Sequence, residues 1–189
     1  MKKICLLLIV LSCVCTSWCF SQIKFEKEYR IAEQSVPPAA LDFIRKAALG
    51  QAVKWYIEQS QEGKSYEAKT VTRKNQLSIE FDQNGRILDI EKKLNLRELS
   101  SEKANLIMTA LTQRFKRYKI KKLQAHWNGS EESLLAILAE GSNSALATHY
   151  EIVLRSKTDK EHYEVFLNTT GQIEKVLKIR PGNFDNLEY

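Results

Sequence analysis

Two stretches of the chain, residues 76–94 and 161–179, repeat one local pattern of a short strand, a tight turn and a second strand. Each turn contains a glycine, Gly85 in the first stretch and Gly171 in the second. A tight turn can join only antiparallel strands, since parallel strands need a long crossover. The repeated pattern therefore predicts antiparallel sheet in both halves of the chain.

The first hairpin has the clearer side-chain pattern. Leu77, Ile79 and Phe81 alternate with polar residues, which predicts a strand with one buried and one solvent-facing side. The dipeptide Asn84-Gly85 then marks the turn. It is a strong hairpin signal because both residues tolerate positive φ.

Other features recur at nearly the same offset as the two glycines. Tyr66 begins "YEAK" and Tyr150 begins "YEIV", and their separation along the chain nearly equals that of Gly85 and Gly171. Two features that share one offset indicate an internal duplication.

A helical pattern precedes the strands of each half. Residues 35–50 begin with a serine and prolines and end at a glycine, and residues 100–118 carry apolar side chains at helical spacing. The acidic first turn and closing glycine of residues 129–141 favour a short extra helix. The sequence therefore predicts an α+β fold of two tandem units, residues 22–98 and 99–189. Each unit is expected to be a helix packed on a four-stranded antiparallel meander.

Residues 1–21 have the pattern of a secretory signal peptide. A basic "MKK" is followed by an apolar stretch and by small residues before Gln22, and the apolar stretch is too short for a stable membrane span. This pattern predicts a periplasmic or secreted protein that begins at Gln22. The residues before Cys13 resemble a lipobox, so lipid anchoring at Cys13 is the alternative.

The predicted leader also decides the cysteine chemistry. It contains all four cysteines of the chain, Cys5, Cys13, Cys15 and Cys19. A mature chain from Gln22 therefore has no disulfide, no thiolate metal site and no cysteine nucleophile. No phosphate-binding loop, nucleophile elbow or HExxH motif occurs, and no cofactor is expected.

The formal net charge is +6, and residues 114–122 form a basic run. Inside a cell such a run would suggest a nucleic-acid partner. Export argues against that partner, and a solvent-exposed basic helix end explains the run.

The three histidines are predicted to share the sheet face that points away from the helices. Antiparallel pairing places His162 beside Arg155, at the far end of a strand from His149, so a three-histidine metal site is excluded by distance. His126 ends one strand and His149 begins the next, and with Glu151 they suggest a small-ligand or metal-binding protein as the alternative function. We assign no metal ligand from the sequence.

Acidic side chains are predicted to gather on the corresponding face of the first half. This face contains Glu67, Ser78, Glu80, Asp89 and Glu91. Acid–base catalysis needs carboxylates in a cleft that separates their pKa values, and an open sheet face predicts no cleft. We therefore assign no catalytic residue and expect no enzyme.

A partner is expected to use the sheet face that the helices leave open. The inward side chains of the first half are predicted to be Leu77, Ile79, Phe81, Leu88 and Ile90. The candidate protein-binding face consists of His149, Glu151, Val153, Glu164, Phe166 and Val176. The turns predict that Phe166 lies opposite Glu151 and Glu174. They also place Val153 and Val176 beside Glu164, which gives apolar residues surrounded by carboxylates, as in an interface core.

Four stretches carry a family resemblance: "RIAEQSVPPAALDFI", "KWYIEQ" with "KSYEAK", "SIEFDQNGRILDIEK", and "YEIVLRSK" with "YEVFLNTTGQIEKV". The chain resembles the PepSY-like and beta-lactamase-inhibitor-like exported proteins of Bacteroidetes-type bacteria. The resemblance implies tandem α+β units whose sheets form a binding surface, with the helices packed behind. It also implies a binding or inhibitory role toward a peptidase or a beta-lactamase.

The sequence therefore predicts a non-enzymatic exported protein-binding module that acts through its exposed sheet faces. The resemblance adds inhibition of a peptidase or another cell-envelope hydrolase. The expected partner is an exported or envelope protein, with no nucleic acid and no membrane span. The identity of the partner and the oligomeric state stay open at this point.

Overall fold

The computed structural model describes five segments of the chain, residues 23–24, 26–60, 63–70, 76–143 and 146–179. These segments contain three α-helices, α1 (Pro38–Ala47), α2 (Ser101–Phe115) and α3 (Glu131–Ala139). They also contain ten strands, β1 (Ile23–Lys24), β2 (Glu26–Ile31), β3 (Val53–Ser60), β4 (Gly63–Thr70), β5 (Leu77–Phe81), β6 (Ile87–Lys93), β7 (Tyr118–Asn128), β8 (His149–Ser156), β9 (His162–Asn168) and β10 (Ile173–Ile179).

The predicted signal peptide at residues 1–21 lies outside the described residues, as do Cys13 and Gln22. Within the described segments, no helix is both long enough and apolar enough to cross a membrane.

The strands form one sheet, in the order β1-β10-β9-β8-β7-β6-β5-β4-β3-β2. Neighbours from β2 to β10 pair antiparallel, and the two-residue β1 adds a parallel pair with β10. The prediction of two tandem units, each a helix on its own four-stranded meander, is therefore wrong. Residues 89–93 of β6 pair with residues 124–128 of β7, so both halves share one sheet.

The pairing of β6 with β7 has a physical cause. Each strand would otherwise be a sheet edge with a row of unpaired backbone N–H and C=O groups. Ile90 and Trp127 face each other across this pair, and both side chains are fully buried. An internal repeat shows the order of elements within each copy, but it does not mark the edge at which the copies join.

The outermost strand β2 was not predicted from the sequence. Glu28 and Arg30 of β2 pair with Glu58 and Tyr56 of β3. Charged side chains are common on edge strands because they discourage pairing with another chain. The charged side chains of β2 therefore fit its position at the end of the sheet.

Each helix begins where the sequence supplies a suitable first turn. Pro38 is the first residue of α1, where a missing N–H costs no hydrogen bond. Before α2, the hydroxyl of Ser100 accepts a hydrogen bond from the N–H of Lys103. The first helix ends at Ala48, which has a left-handed φ of 44°, and Gly50 follows. The short extra helix predicted for residues 129–141 is confirmed as α3.

The three helices cover one face of the sheet and share a single hydrophobic core with it. Ala40 of α1, Leu111 of α2 and Leu134 of α3 are fully buried, and they belong to the same cluster as Ile79 and Ile152 of the sheet. Burial of a large apolar side chain contributes about 1.5–3 kcal/mol. Because this cluster runs through both halves, the halves share their stability.

The first hairpin turn is held by hydrogen bonds to Asp82. Its carbonyl accepts from the N–H of Gly85 at 2.9 Å, and its N–H donates to the carbonyl of Arg86 at 2.8 Å. The Asp82 carboxylate also accepts from the backbone N–H groups of Asn84 and Arg86. Gly85 has a φ of 82°, whereas Asn84 is not among the described residues with a positive φ, so the turn uses the conformational freedom of the glycine alone.

The second turn repeats this chemistry with Asn168 in place of the aspartate. Asn168 accepts from the N–H of Gly171 and donates to the carbonyl of Gln172, both at 3.0 Å. Its side-chain oxygen accepts from the N–H groups of Thr170 and Gln172. Gly171 also has a φ of 82°.

Both turn glycines lie against a helix. A Cβ on Gly85 would be 2.8 Å from the Cβ of Pro37 and 2.9 Å from the backbone N of Ala40. A Cβ on Gly171 would be 3.1 Å from the Cβ of Leu106. Each hairpin tip therefore packs beneath a helix, where a Cβ would clash at Gly85 and would be tightly packed at Gly171.

A β-bulge follows each turn and changes which side chains face the helices. The register shifts where Phe81 pairs with Ile87, and again between Ile173 and Lys175. An extra residue in one strand reverses the alternation of side chains beyond it. Leu88 is consequently 43 % exposed, so its predicted inward position is wrong.

Candidate functional site

The sheet face opposite the helices forms an open cavity of about 540 Å³, which is lined by side chains from β2 through to β10. Adjacent strands lie about 4.8 Å apart, so a flat sheet would hold these outer strands too far apart to share a cavity. The sheet is therefore curved around it, and the expectation of an open face without a cleft is wrong.

We call this cavity the acidic groove. Among the described residues, ten acidic side chains line it: Glu26, Glu28, Glu58, Glu67, Glu80, Asp82, Asp89, Glu91, Glu151 and Glu164. Five lysine or arginine side chains of the described segments also line it: Lys64, Lys69, Arg86, Lys122 and Lys175. The groove is thus predominantly acidic in a chain whose formal net charge is +6.

Three carboxylates stand side by side across adjacent strands of the groove. Glu67 pairs with Glu80, and Glu80 pairs with Asp89. Like charges directly opposite each other on neighbouring strands destabilise a sheet. Burial and the charge of Asp89 raise the pKa of Glu80 to about 7. Burial and repulsion between neighbouring carboxylates therefore make ionisation of Glu80 less favourable in the groove.

One lysine offsets part of this repulsion. The ammonium of Lys69 lies 2.6 Å from the carboxylate of Glu28 and 3.0 Å from that of Glu67. Burial opposes the charge of Lys69, but the two carboxylates outweigh burial and raise its pKa above the usual range. Ser78 also donates a hydrogen bond to Glu67. These contacts fix the β2 side of the groove.

A histidine stands at the centre of the groove beside two carboxylates. Glu91 is the cross-strand partner of His126, and Nε2 of His126 lies 3.4 Å from Oδ2 of Asp89. Asp89, Glu91 and His126 each present one ligand atom within 4.8 Å of the others. Burial lowers the pKa of His126, but its hydrogen bond with Asp89 and the charge of Asp89 outweigh burial and raise it.

A buried amide lies against this cluster. Gln124 is only 4 % exposed, and its Nε2 donates to Oε2 of Glu91 at 2.6 Å. Burial and the charge of Glu151 raise the pKa of Glu91 well above its usual value. The alternative site suggested by the sequence consisted of His126, His149 and Glu151. Within the described residues, the possible metal ligands that come together are instead Asp89, Glu91 and His126.

The structure brings together most of the candidate protein-binding face. His149, Glu151, Val153, Glu164 and Phe166 share the groove side of β8 and β9, and His149 pairs with His126 as expected. The predicted pairs of Glu151 with Phe166 and of Val153 with Glu164 are confirmed. Whether this face binds a protein stays a prediction.

Two residues of the candidate protein-binding face, Val153 and Val176, are not exposed to a partner as expected. The bulge in β10 makes Val176 pair with Val165 and pack on the core beneath the helices, while Leu177 takes the groove side opposite Glu164. Val153 lies on the groove side but is fully buried. The bulge also pairs Phe166 with Lys175, so its expected pairing with Glu174 is wrong.

The lysines that face these carboxylates were missed by the sequence reasoning. Lys69 and Lys122 line the groove, but a period-two pattern gives them only as polar strand residues. Their meeting with acidic residues depends on strands that are distant in sequence, such as Lys69 with Glu28. The available signal was the density of acidic residues on one face.

No protein-family model matches the chain, and no curated protein is similar to it. Solved structures do match. A BLIP-like protein from Bacteroides fragilis is 16% identical, with 78% of this chain and 89% of that chain covered and a TM-score of 0.51. A DUF2874 family protein from Bacteroides ovatus is 13% identical, with 76% and 87% covered and a TM-score of 0.53. A provisionally periplasmic protein from Bacteroides eggerthii is 11% identical, with 79% and 94% covered and a TM-score of 0.54.

Such low identities show a shared fold and not a shared function. The beta-lactamase-inhibitor-like part of the sequence resemblance is confirmed at the level of fold. None of these three proteins is named as an enzyme.

Proposed function

We propose that this chain is a non-enzymatic, exported protein-binding module that captures a cationic segment of a periplasmic or cell-envelope protein in its acidic groove. The observation that carries the proposal is the gathering of ten carboxylates of the described residues on the concave face of the sheet. Opposite potentials across an interface speed association and select the partner.

The protonation behaviour of the groove supports a cationic ligand. Burial and neighbouring carboxylates raise the pKa values of Glu28, Glu80 and Glu91. A positively charged side chain placed among these groups would relieve their repulsion and stabilise the ionised carboxylates. An anionic or purely apolar ligand would add to the cost of burying them.

The shape and apolar content of the groove also suit a peptide segment. Leu88 is exposed within the groove, and the half-buried ring of Phe166 lies there as well. Apolar contacts surrounded by charged groups are the usual anatomy of a protein interface. The candidate residues Glu151, Glu164 and Phe166 belong to this surface.

Two narrower statements belong to the same proposal. The BLIP-like fold of the similar structures and the PepSY-like sequence resemblance favour restraint of a peptidase or another cell-envelope hydrolase as the outcome of binding. The signal-peptide pattern and the periplasmic name of a similar structure favour the periplasm as the compartment.

The charge preference is tested with labelled peptides of equal length, one rich in lysine and arginine and one rich in glutamate. Fluorescence anisotropy with the chain of residues 22–189 should show binding of the basic peptide only, weakening as salt rises. The double variant Glu58→Gln, Glu80→Gln should weaken this binding by about fivefold or more, roughly 1 kcal/mol.

The matched control is Glu140→Gln, which neutralises an exposed carboxylate at the end of α3 and outside the groove. It should change the affinity for the basic peptide by less than about twofold. Equal weakening by the control and the groove variant, or preference for the acidic peptide, would refute the proposal.

A further inference from the structure

We propose that Asp89, Glu91 and His126 form a binding site for one divalent transition-metal ion, with Zn²⁺ as the best fit. The three side chains come from β6 and β7, the two strands that join the halves of the sheet. Metal binding at this place requires no protein partner, so the site can be tested with the metal alone.

The geometry brings three suitable ligand atoms together. One atom from each side chain lies within 4.8 Å of the other two. Zinc binds histidine nitrogen and carboxylate oxygen at about 2.0–2.2 Å, which places neighbouring ligand atoms about 3.4 Å apart in a tetrahedron. The contact between Nε2 of His126 and Oδ2 of Asp89 already measures 3.4 Å, which is the separation that a tetrahedral zinc site needs.

The ligand chemistry selects among metals. Calcium and magnesium take oxygen ligands in larger numbers, whereas an imidazole favours zinc, copper, nickel or iron. One histidine and two carboxylates leave the fourth position of a tetrahedral zinc ion open. Since all three residues line the acidic groove, that open position would face the groove.

Buried atoms without a hydrogen-bond partner give an independent reason. Oδ1 of Asp89 and Oε1 of the neighbouring Gln124 are fully buried, and neither has a hydrogen-bond partner within the described part of the chain. A buried polar atom left unpaired costs about 1–3 kcal/mol. Gln124 as a whole is only 4 % exposed, and its amide holds Glu91 at the cluster.

The surrounding charges agree with a bound cation. Glu80 is the cross-strand partner of Asp89, and Glu151 lines the same groove, so further carboxylates surround the cluster. Lys122 lines the groove as well, and the His149 ring lies 6.2 Å from that of His126. A divalent ion would neutralise repulsion that one lysine leaves in place.

The test is a calorimetric titration of metal-free chain, residues 22–189, with ZnCl₂. We expect one equivalent of zinc to bind. The variants His126→Ala and Glu91→Gln should each lower the affinity by about tenfold or more. Zinc should raise the thermal unfolding midpoint of the unsubstituted chain and leave that of both variants nearly unchanged.

His162→Ala is the matched control, because His162 is a sheet histidine that pairs with Arg155 away from the cluster. It should bind zinc within about twofold of the unsubstituted chain. Circular dichroism checks that each variant is folded. If His126→Ala does not fold, Glu91→Gln still tests the site, because glutamine keeps the shape of the glutamate side chain. Absence of zinc binding, binding unchanged in Glu91→Gln, or equal loss in His162→Ala would overturn the proposal. In each case water would be the remaining partner for the buried atoms.

The outcome separates this site from the proposed protein-binding function. The peptide titration uses Glu58→Gln and Glu80→Gln in the presence of a chelator, and the zinc titration uses no peptide. Failure of zinc binding therefore leaves peptide capture untouched, and failure of peptide capture leaves the metal site untouched.

Discussion

The substitution Gly85→Ala tests whether the hairpin tip truly packs beneath α1. The φ of 82° at Gly85 disfavours any residue with a Cβ, at a cost of about 1–2 kcal/mol. The new methyl group would also stand 2.8 Å from the Cβ of Pro37 and 2.9 Å from the backbone N of Ala40. Carbon atoms prefer a separation of about 3.5–4.0 Å, so the turn and the helix would have to move apart.

Overpacking of this kind costs about 1–3 kcal/mol, and the total for Gly85→Ala should be about 2–5 kcal/mol. The matched control is Gly141→Ala, where φ is 77° and a Cβ would have no atom of the described residues within 4 Å. That variant should lose only the conformational part, about 1–2 kcal/mol.

The assay is urea unfolding of both variants, followed by circular dichroism at one temperature and pH. The difference in unfolding free energy between the two variants measures the steric contact between turn and helix, provided that the m-value is unchanged. Equal losses for Gly85→Ala and Gly141→Ala would refute the packing of the hairpin tip against α1.

Three groove residues give further predictions. Burial and the charge of Asp89 raise the pKa of Glu80 from 4.5 to about 7, so the folded state binds the Glu80 proton more tightly than the unfolded state does. The unfolding free energy should therefore fall as the pH rises from about 4.5 to 7. Glu80→Gln should flatten this dependence and stabilise the protein by about 1–3 kcal/mol at pH 8, as measured by urea unfolding at several pH values; an unchanged pH profile would contradict the assignment. Val153→Ser should cost about 1–3 kcal/mol in the same assay because Val153 is fully buried, and a neutral result would show that it is accessible. Lys69→Ala should lower the thermal midpoint, with a loss of about 1–2 kcal/mol, because two carboxylates would lose their shared cation; a higher midpoint would contradict this role.

The sequence predicted local structure well where one short stretch decides the outcome. The alternation of Leu77, Ile79 and Phe81, the glycine turns and the serine cap of α2 depend on neighbouring residues, and all are found in the structure. The first helix is an exception, because its N-cap is Pro37 and not the predicted serine. The cross-strand pair of Val153 and Glu164 was also predictable. The position of the turn between β8 and β9 determines which residues of the two strands face each other.

The remaining features depend on contacts that no short stretch contains. The bulges after Gly85 and Gly171 reverse the facing of Leu88 and Val176, and alternation alone gives no sign of an extra residue. The pairing of β6 with β7 depends on contact between strand edges from the two halves of the chain. The curvature that turns an acidic face into a groove is a property of the whole sheet, so the burial of Val153 was not foreseeable.

Partner binding in the acidic groove is tested most directly by site-specific cross-linking. Residues 22–189 contain no cysteine, so a single introduced cysteine can carry a photoreactive label. Leu88→Cys places the label in the acidic groove, and Met108→Cys places it on α2; the native side chains are 43 % and 38 % exposed.

Both labelled chains are exposed to a cell-envelope extract, illuminated, and analysed by mass spectrometry of the cross-linked peptides. We predict that the groove label forms an adduct with a protein, on a peptide rich in lysine and arginine. The double variant Glu58→Gln, Glu80→Gln should abolish this adduct, and the α2 label should not form it. An adduct formed equally from both labels, or from the groove label on an acidic peptide, would contradict capture of a cationic segment in the groove.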